Sequence, residues 1–192
     1  PSSHMSGYGS ADDTTGANVN AKTVYNYKWH WRSIVKIMES YPDNFFVIWT
    51  GAPACSANTT STAARLSHEF NTWAKDTLAA GLDPTYGAFP PNVYVFDFFH
   101  RLVDWNYFLS PLYRASETDD HPNAAAADLI APLWVNEMFD ASIAYETIIP
   151  VELTSFTAST MLTGVELNWS TATELNNDGF EIERSLIQDA RG

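Results

Sequence analysis

The segment with the clearest chemical content is Thr118-Asp119-Asp120-His121-Pro122-Asn123, which is followed at once by an alanine-rich stretch. Proline favours the first position of a helix, so we expect a helix to begin at or just after His121. The positive end of the helix dipole disfavours a charged imidazole, whereas a nearby aspartate favours it, and together they would keep the ring oriented and close to neutral. A general base for ester hydrolysis needs this arrangement. The same residues would also suit a solvated turn that caps a helix.

A cation site formed by Asp119, Asp120 and His121 is a further possibility, which would need additional ligands from the loop before it. The five histidines of the chain, His4, His30, His68, His100 and His121, show no metal-ligand spacing. The sequence therefore predicts no metal centre and no cofactor.

Composition limits the classes of function. The 192 residues are 45% hydrophobic and carry a formal net charge of −13, which fits one medium domain with a small attachment. The 23 acidic residues against 10 basic ones argue against nucleic acid or an anionic membrane surface as partner. No apolar run approaches the roughly 20 residues of a membrane span. Cys55 is the single cysteine, so an intrachain disulfide is excluded.

Hydrophobic periodicity predicts alternating helices and strands after a loop over residues 1–22. Apolar residues at helical spacing predict three helices, and two short apolar runs predict strands that are buried on both faces. The predicted helices lie near 23–41, 62–80 and 123–145, and the predicted strands are Phe45–Thr50 and Val93–Asp97.

The strand ends and the loop after them are the other candidate site elements. Open α/β sheets place their ligands at the carboxyl ends of the strands, where Thr50 and Asp97 fall. Asp97 would either point into the site or cap a short helical turn after it. Residues 98–117 are predicted to form a long loop whose aromatic side chains, Trp105 among them, face the substrate. The order of elements is half of a doubly wound α/β domain, so we expect the missing strands to precede Pro1.

Together these segments resemble the C-terminal half of an SGNH (GDSL-like) hydrolase over roughly residues 23–145. The resemblance is carried by the strand that ends in Val95-Phe96-Asp97, by Asp-Asp-His-Pro-Asn before the last helix, and by Trp49-Thr50-Gly51-Ala52-Pro53 and Phe70-Asn71-Thr72-Trp73. It implies a flavodoxin-like three-layer α/β/α fold and a serine esterase mechanism. By position, His121 would be the catalytic base and Asp119 the acid that orients it.

The chain departs from the pattern of this family in two ways. The family places its acid three residues before the histidine, a position that Thr118 occupies here, so Asp120 remains an alternative acid to Asp119. The chain also contains no Gly-Asp-Ser and no Gly-x-Asn-Asp sequence, the blocks that supply the nucleophile and the oxyanion donors. We therefore expect a fragment that carries the base and lacks the nucleophile, and that is inactive by itself.

After Glu146 the pattern changes to the alternation of polar and apolar residues that is typical of β-strands. Two alternating runs, Pro150–Thr157 and Val165–Ser170, are followed by a predicted third strand at Gly179–Arg184. Residues 150–185 resemble the fibronectin-III-like segment of type IX-secreted bacterial proteins. This implies a partial β-sandwich on a secreted or cell-surface bacterial protein, because a complete sandwich needs about 100 residues. The first domain would occupy residues 23–146, and residues 186–192 receive no assignment.

Two function classes remain open. The first is a secreted esterase that deacylates a carbohydrate or another ester, supported by the aromatic loop, because sugar faces stack on such rings. The second is a non-catalytic surface module that binds a glycan or a protein partner through the same scaffold. The sequence does not indicate an oligomeric state.

Overall fold

The structure is a computed structural model that describes residues 4–11, 20–148, 153–172 and 179–182. The chain divides into two compact units, Pro1–Tyr145 and Glu146–Gly192. Among the described residues, no helix has both the length and the apolar character that crossing a bilayer requires.

The first unit alternates helices with two short strands. Each of its first two helices begins at a threonine whose hydroxyl accepts a backbone N–H three residues later, Thr23 for one and Thr60 for the other. The π-helical turn that continues the second helix ends at Leu78, and Gly81, with a φ of 69°, lies in the turn that follows. In chain order the elements are α1 (Val24–Glu39), β1 (Phe46–Trp49), α2 (Ser61–Trp73) with a π-helical turn (Ala74–Leu78), β2 (Val93–Phe96), α3 (Phe99–Leu102), a 3₁₀ turn (Pro111–Tyr113) and α4 (Ala124–Ile148).

The two strands pair in parallel, with Phe46 opposite Val93 and Trp49 opposite Phe96. This confirms the predicted parallel neighbours and agrees with the α/β class. Side chains that alternate along β1 enter two different apolar clusters. Ile48 packs against the cluster that contains Phe70 of α2, whereas Val47 packs against the cluster that contains Ile130 of α4. Helices therefore cover both faces of the sheet, and the carboxyl ends of both strands open toward the same edge.

Three parts of the first unit differ from the prediction. Residues 98–117 are not a single loop, since they contain α3, the 3₁₀ turn and a bridge between Val103 and Leu109. In the segment predicted to be loop, Met5 is buried in the core beside α1 and α2. The last helix begins at Ala124, and Pro122 is not its first residue but forms a bridge with Arg114. Burial of aliphatic side chains accounts for the first difference, because Leu102 and Leu109 are fully buried and anchor the segment to the core.

The second unit contains an antiparallel hairpin of β3 (Leu153–Met161) and β4 (Gly164–Thr171). The two residues between Met161 and Gly164 form its turn. The predicted third strand is wrong over Gly179–Ile182, which are irregular. Glu183 and Arg184, and the predicted start of the first strand at Pro150, lie outside the described residues. The described residues show a hairpin with mostly exposed faces and no closed sandwich.

Candidate functional site

The Asp-Asp-His turn, Asp119–His121, holds a carboxylate against an imidazole. Oδ1 of Asp119 accepts the backbone N–H of His121 at 2.9 Å and lies 2.8 Å from Nδ1 of its ring. The backbone N–H of His121, and then its imidazole, lower the pKa of the Asp119 carboxyl. The His121 side chain is 92% exposed, so this contact fixes Nδ1 while the rest of the ring faces solvent.

Asp120 differs from Asp119 in that its carboxylate accepts hydrogen bonds from the loop that follows β1. Its Oδ1 accepts the N–H of Cys55 at 2.7 Å, and its Oδ2 accepts the side-chain amide of Asn58 at 2.8 Å. Burial raises the pKa of Asp120, but these hydrogen bonds outweigh it, and the net shift is downward. Asn58 also donates to the carbonyl of Thr118 at 2.9 Å. The turn is thus fastened at the carboxyl end of β1, where ligands of open α/β sheets bind.

Asn123 fixes the other end of the turn. Its side-chain oxygen accepts the N–H of Ala126 at 3.1 Å, which makes Asn123 the cap of α4. Its side-chain amide donates to the carbonyls of Leu112 and Arg114, at 3.1 and 3.0 Å. His121 therefore lies two residues before the cap and not at the first turn of the helix. The influence of the helix dipole on its ring is weaker than predicted, because that influence falls off beyond the first turn.

An apolar cavity of about 300 Å³ borders the turn at Pro122 and Asn123. Its floor is aromatic, since the Trp49 ring lies 4.8 Å from the Trp134 ring and 5.0 Å from that of Phe98, centre to centre. The remaining lining residues are Ala126, Ala127, Ile130 and Ala131 of α4. A cavity of this size and character accommodates an acyl chain or one face of a sugar ring.

A second carboxylate–imidazole pair, which the sequence analysis did not single out, follows β2. Oδ1 of Asp97 lies 2.8 Å from Nδ1 of His100 and also accepts the backbone N–H of His100 at 3.2 Å. Burial by itself would raise the pKa of the Asp97 carboxyl. The contacts with His100 and Lys75 outweigh this effect and lower the pKa from its ordinary value of 3.8 to about 2. Asp97 thus caps α3, one of its two predicted roles, and at the same time orients an imidazole.

His100 continues into what we call the imidazole cluster, which consists of Asp97, His100, His68 and Thr72. Its Nε2 lies 3.1 Å from the Thr72 hydroxyl and 3.2 Å from Nδ1 of His68. Residues 68 and 100 are 32 positions apart, so local spacing gave no sign of the contact. The available signal was an aspartate at the end of a strand with a histidine three residues later, a spacing that allows the pair to close around a helical turn.

The alternative cation site at Asp119, Asp120 and His121 is not assembled, because the Asp120 carboxylate is directed to Cys55 and Asn58. In the part of the chain that the structure describes, no group of three or more His, Cys, Asp or Glu side chains is arranged to hold a metal ion. The aromatic residue that the prediction placed in a substrate-facing wall, Trp105, is 86% exposed.

Comparisons of the chain with protein-family models, curated proteins and solved structures found no match.

Proposed function

We propose that this chain is part of a secreted bacterial serine esterase of the SGNH type, with a flavodoxin-like fold, that deacylates a carbohydrate or another ester. The observation that carries the proposal is the Asp119–His121 pair, in which a carboxylate holds Nδ1 at 2.8 Å and the ring is open to solvent. An aspartate in that position keeps the proton on Nδ1 and leaves the lone pair on Nε2. His121 is then the base and Asp119 the orienting acid.

In this mechanism Nε2 of His121 takes the proton of a serine hydroxyl as the serine oxygen attacks the ester carbonyl. The imidazolium returns that proton to the alcohol as it leaves, and water releases the acyl group from the serine by the same two proton transfers in reverse roles. The serine and the oxyanion donors would belong to a segment that precedes residue 1, because this chain contains neither of the sequence blocks that supply them.

Two features of the first unit support an ester of a carbohydrate as substrate. The cavity beside Pro122 offers aromatic and aliphatic walls to an acyl group or a sugar face. Trp105 exposes a large aromatic surface, and such surfaces stack on sugar rings. The likeness of residues 150–185 to segments of type IX-secreted proteins supports a location outside the cell.

The test compares this chain with a longer one that includes the preceding segment, using p-nitrophenyl acetate. We expect the chain alone to be inactive and the longer protein to be active. In the longer protein, His121→Ala should lower kcat by about 10³-fold or more, because nucleophile and base act as a unit. Asp119→Asn should lower kcat less than His121→Ala, and more than Asp120→Asn. His30→Gln, which changes a histidine on α1, is the matched control and should leave kcat unchanged.

Unchanged turnover in His121→Ala would end the esterase assignment. A larger loss in Asp120→Asn than in Asp119→Asn would keep the mechanism and transfer the orienting role to Asp120. Far-UV circular dichroism and the melting temperature of each variant separate loss of chemistry from loss of fold.

The second candidate function is a non-catalytic module that binds glycans, which the exposure of Trp105 favours. The upstream reading frame discriminates between the two. A predicted strand followed by Gly-x-Ser supports the enzyme, and its absence supports the binding module.

A further inference from the structure

The imidazole cluster brings three electron-pair donors to one point. Nδ1 of His68, Nε2 of His100 and the hydroxyl of Thr72 lie within 3.1 to 3.5 Å of one another. They come from two separate elements, since His68 and Thr72 are one turn apart on α2 and His100 is in α3. None of the three belongs to the Asp-Asp-His turn, so the cluster has no part in the proposed esterase chemistry.

Both rings are held in place by their surroundings. The His68 ring stacks on Tyr107, with centres 3.9 Å apart and planes within 6°. Tyr107 has a φ of 69°, an unusual backbone conformation for a residue with a side chain. The His100 ring is fixed through Nδ1 by Asp97, and its side chain is 22% exposed. The cluster is therefore oriented before anything binds to it.

Hydrogen bonds connect the three donors to one another. Asp97 accepts the proton on Nδ1 of His100, which leaves a single lone pair on Nε2. The Thr72 hydroxyl at 3.1 Å and Nδ1 of His68 at 3.2 Å both face that lone pair. The Thr72 hydroxyl can donate to that lone pair while its oxygen, 3.5 Å from Nδ1 of His68, accepts the proton of the other ring.

A metal ion would use all three donors at once. Imidazole nitrogens bind Zn²⁺ at about 2.0–2.1 Å, and two nitrogens that are 3.2 Å apart would then subtend an angle of about 100° at the metal, which is close to tetrahedral. A carboxylate on the other ring nitrogen, as Asp97 provides for His100, is the usual partner of a metal-binding histidine.

We propose that His68 and His100 bind a divalent transition-metal cation of the Zn²⁺ class, through Nδ1 and Nε2 respectively, with Thr72 and water completing the coordination. Asp97 is a positioning residue that orients His100. Binding needs only a tautomer change, because the proton of His68 moves to Nε2 while His100 keeps its proton on Nδ1. Two imidazoles are fewer protein ligands than structural zinc sites have, so we expect micromolar affinity.

The first test is calorimetric titration of the full chain with ZnCl₂, which should give one site per chain. His68→Gln and His100→Gln should each weaken binding at least tenfold, and Asp97→Asn should weaken it about tenfold. His30→Gln and His121→Gln are matched controls, since both change a histidine outside the cluster, and they should bind Zn²⁺ as the wild type does. Equal affinity in the wild type and His68→Gln would overturn the proposal.

The second test needs no variant and stands even if a substituted chain fails to fold. Zn²⁺ is added to ¹⁵N-labelled wild type, and the imidazole nitrogens are followed by long-range ¹H–¹⁵N correlation. We expect the largest shifts at Nδ1 of His68 and Nε2 of His100. Shifts confined to other histidines, or none at millimolar Zn²⁺, would show that the cluster is a hydrogen-bonded network only.

Discussion

The same chemical pair occurs twice in this molecule, in two different environments. Asp119 meets His121 and Asp97 meets His100, each with a carboxylate oxygen 2.8 Å from Nδ1. The first imidazole is 92% exposed, whereas the second is 22% exposed and shares Nε2 with Thr72 and His68. The distance between acid and imidazole therefore does not distinguish the pairs. What distinguishes them is whether Nε2 is open to a reacting group or already has protein partners.

The two pairs also depend on different parts of the structure for their orientation. The exposed pair depends on polar anchors outside itself, because Asp120 fastens the turn to the loop after β1 and Asn123 fastens it to α4. The less exposed pair depends on packing, since the His100 ring contacts the rings of Phe99 and His68. We therefore expect substitutions in the Asp97–His100 pair to change stability and substitutions in the Asp119–His121 pair to change activity.

The largest stability effect should come from Asp97→Ala. The Asp97 side chain is 14% exposed, and its removal leaves His100 and Thr50 without their acceptor. We expect the free energy of unfolding in urea to fall by about 3 kcal/mol, because largely buried donors that lose a charged acceptor are left without a hydrogen-bond partner. Asp119→Ala is the matched control, and because its partner is exposed we expect a much smaller loss than in Asp97→Ala. Equal losses in the two variants would contradict the contrast between the pairs.

The pH dependence of stability should sharpen the same contrast. The pKa of Asp97 is about 2 in the folded chain, below its ordinary value of 3.8. A lowered pKa in the folded state stabilises the fold above the unfolded pKa, and this stabilisation is lost as the pH falls through the folded pKa. The difference in unfolding free energy between wild type and Asp97→Asn should therefore shrink by about 2 kcal/mol between about pH 5 and pH 2. A difference that stays constant over this range would show that Asp97 contributes by shape and not by charge.

These contrasts also show how far the sequence could predict the molecule. Hydrophobic periodicity located the helices, because their apolar residues recur at helical spacing, and short unbroken apolar runs located β1 and β2. The parallel pairing followed from two strands that are apolar on both faces. The start of α4 was predicted wrongly. Pro122 suited the first helical position, but the helix is capped by Asn123, whose side-chain oxygen accepts the N–H of Ala126.

The imidazole cluster could not be predicted from the sequence for another reason. His68 and His100 meet because α2 and α3 pack against each other, and this contact depends on tertiary packing. By contrast, Asp119 and His121 are two residues apart, so their contact is a local property of the turn. Local chemistry was therefore accessible from sequence, whereas convergence of distant residues was not. The role of Asp120 belongs to the second kind, because its partners Cys55 and Asn58 lie more than 60 residues earlier.

A smaller effect is expected at the anchor of the exposed pair. Asn123→Ala removes the cap of α4 and should lower the free energy of unfolding by about 1 kcal/mol. Asn123→Asp is the matched control, because aspartate caps a helix equally well and should retain most of the stability. Thermal unfolding followed by circular dichroism measures both. If the two variants lose the same amount, the side-chain amide bonds to Leu112 and Arg114 matter more than the cap.

The smallest effect on stability should come from Trp105, two residues from the Tyr107 ring that stacks on His68. Because Trp105 is 86% exposed, Trp105→Ala should change the free energy of unfolding by less than about 0.5 kcal/mol. If the indole stacks on a sugar in the proposed esterase, its loss removes about 1 kcal/mol of binding, the scale of one aromatic contact. In the longer, active protein the KM for an acetylated polysaccharide should then rise several-fold, with kcat and the hydrolysis of p-nitrophenyl acetate unchanged. Leu112→Ala, at a side chain that is also largely exposed but cannot stack, is the control and should leave KM unaltered. An unchanged KM in Trp105→Ala would remove the indole from the substrate site while leaving the Asp119–His121 chemistry intact.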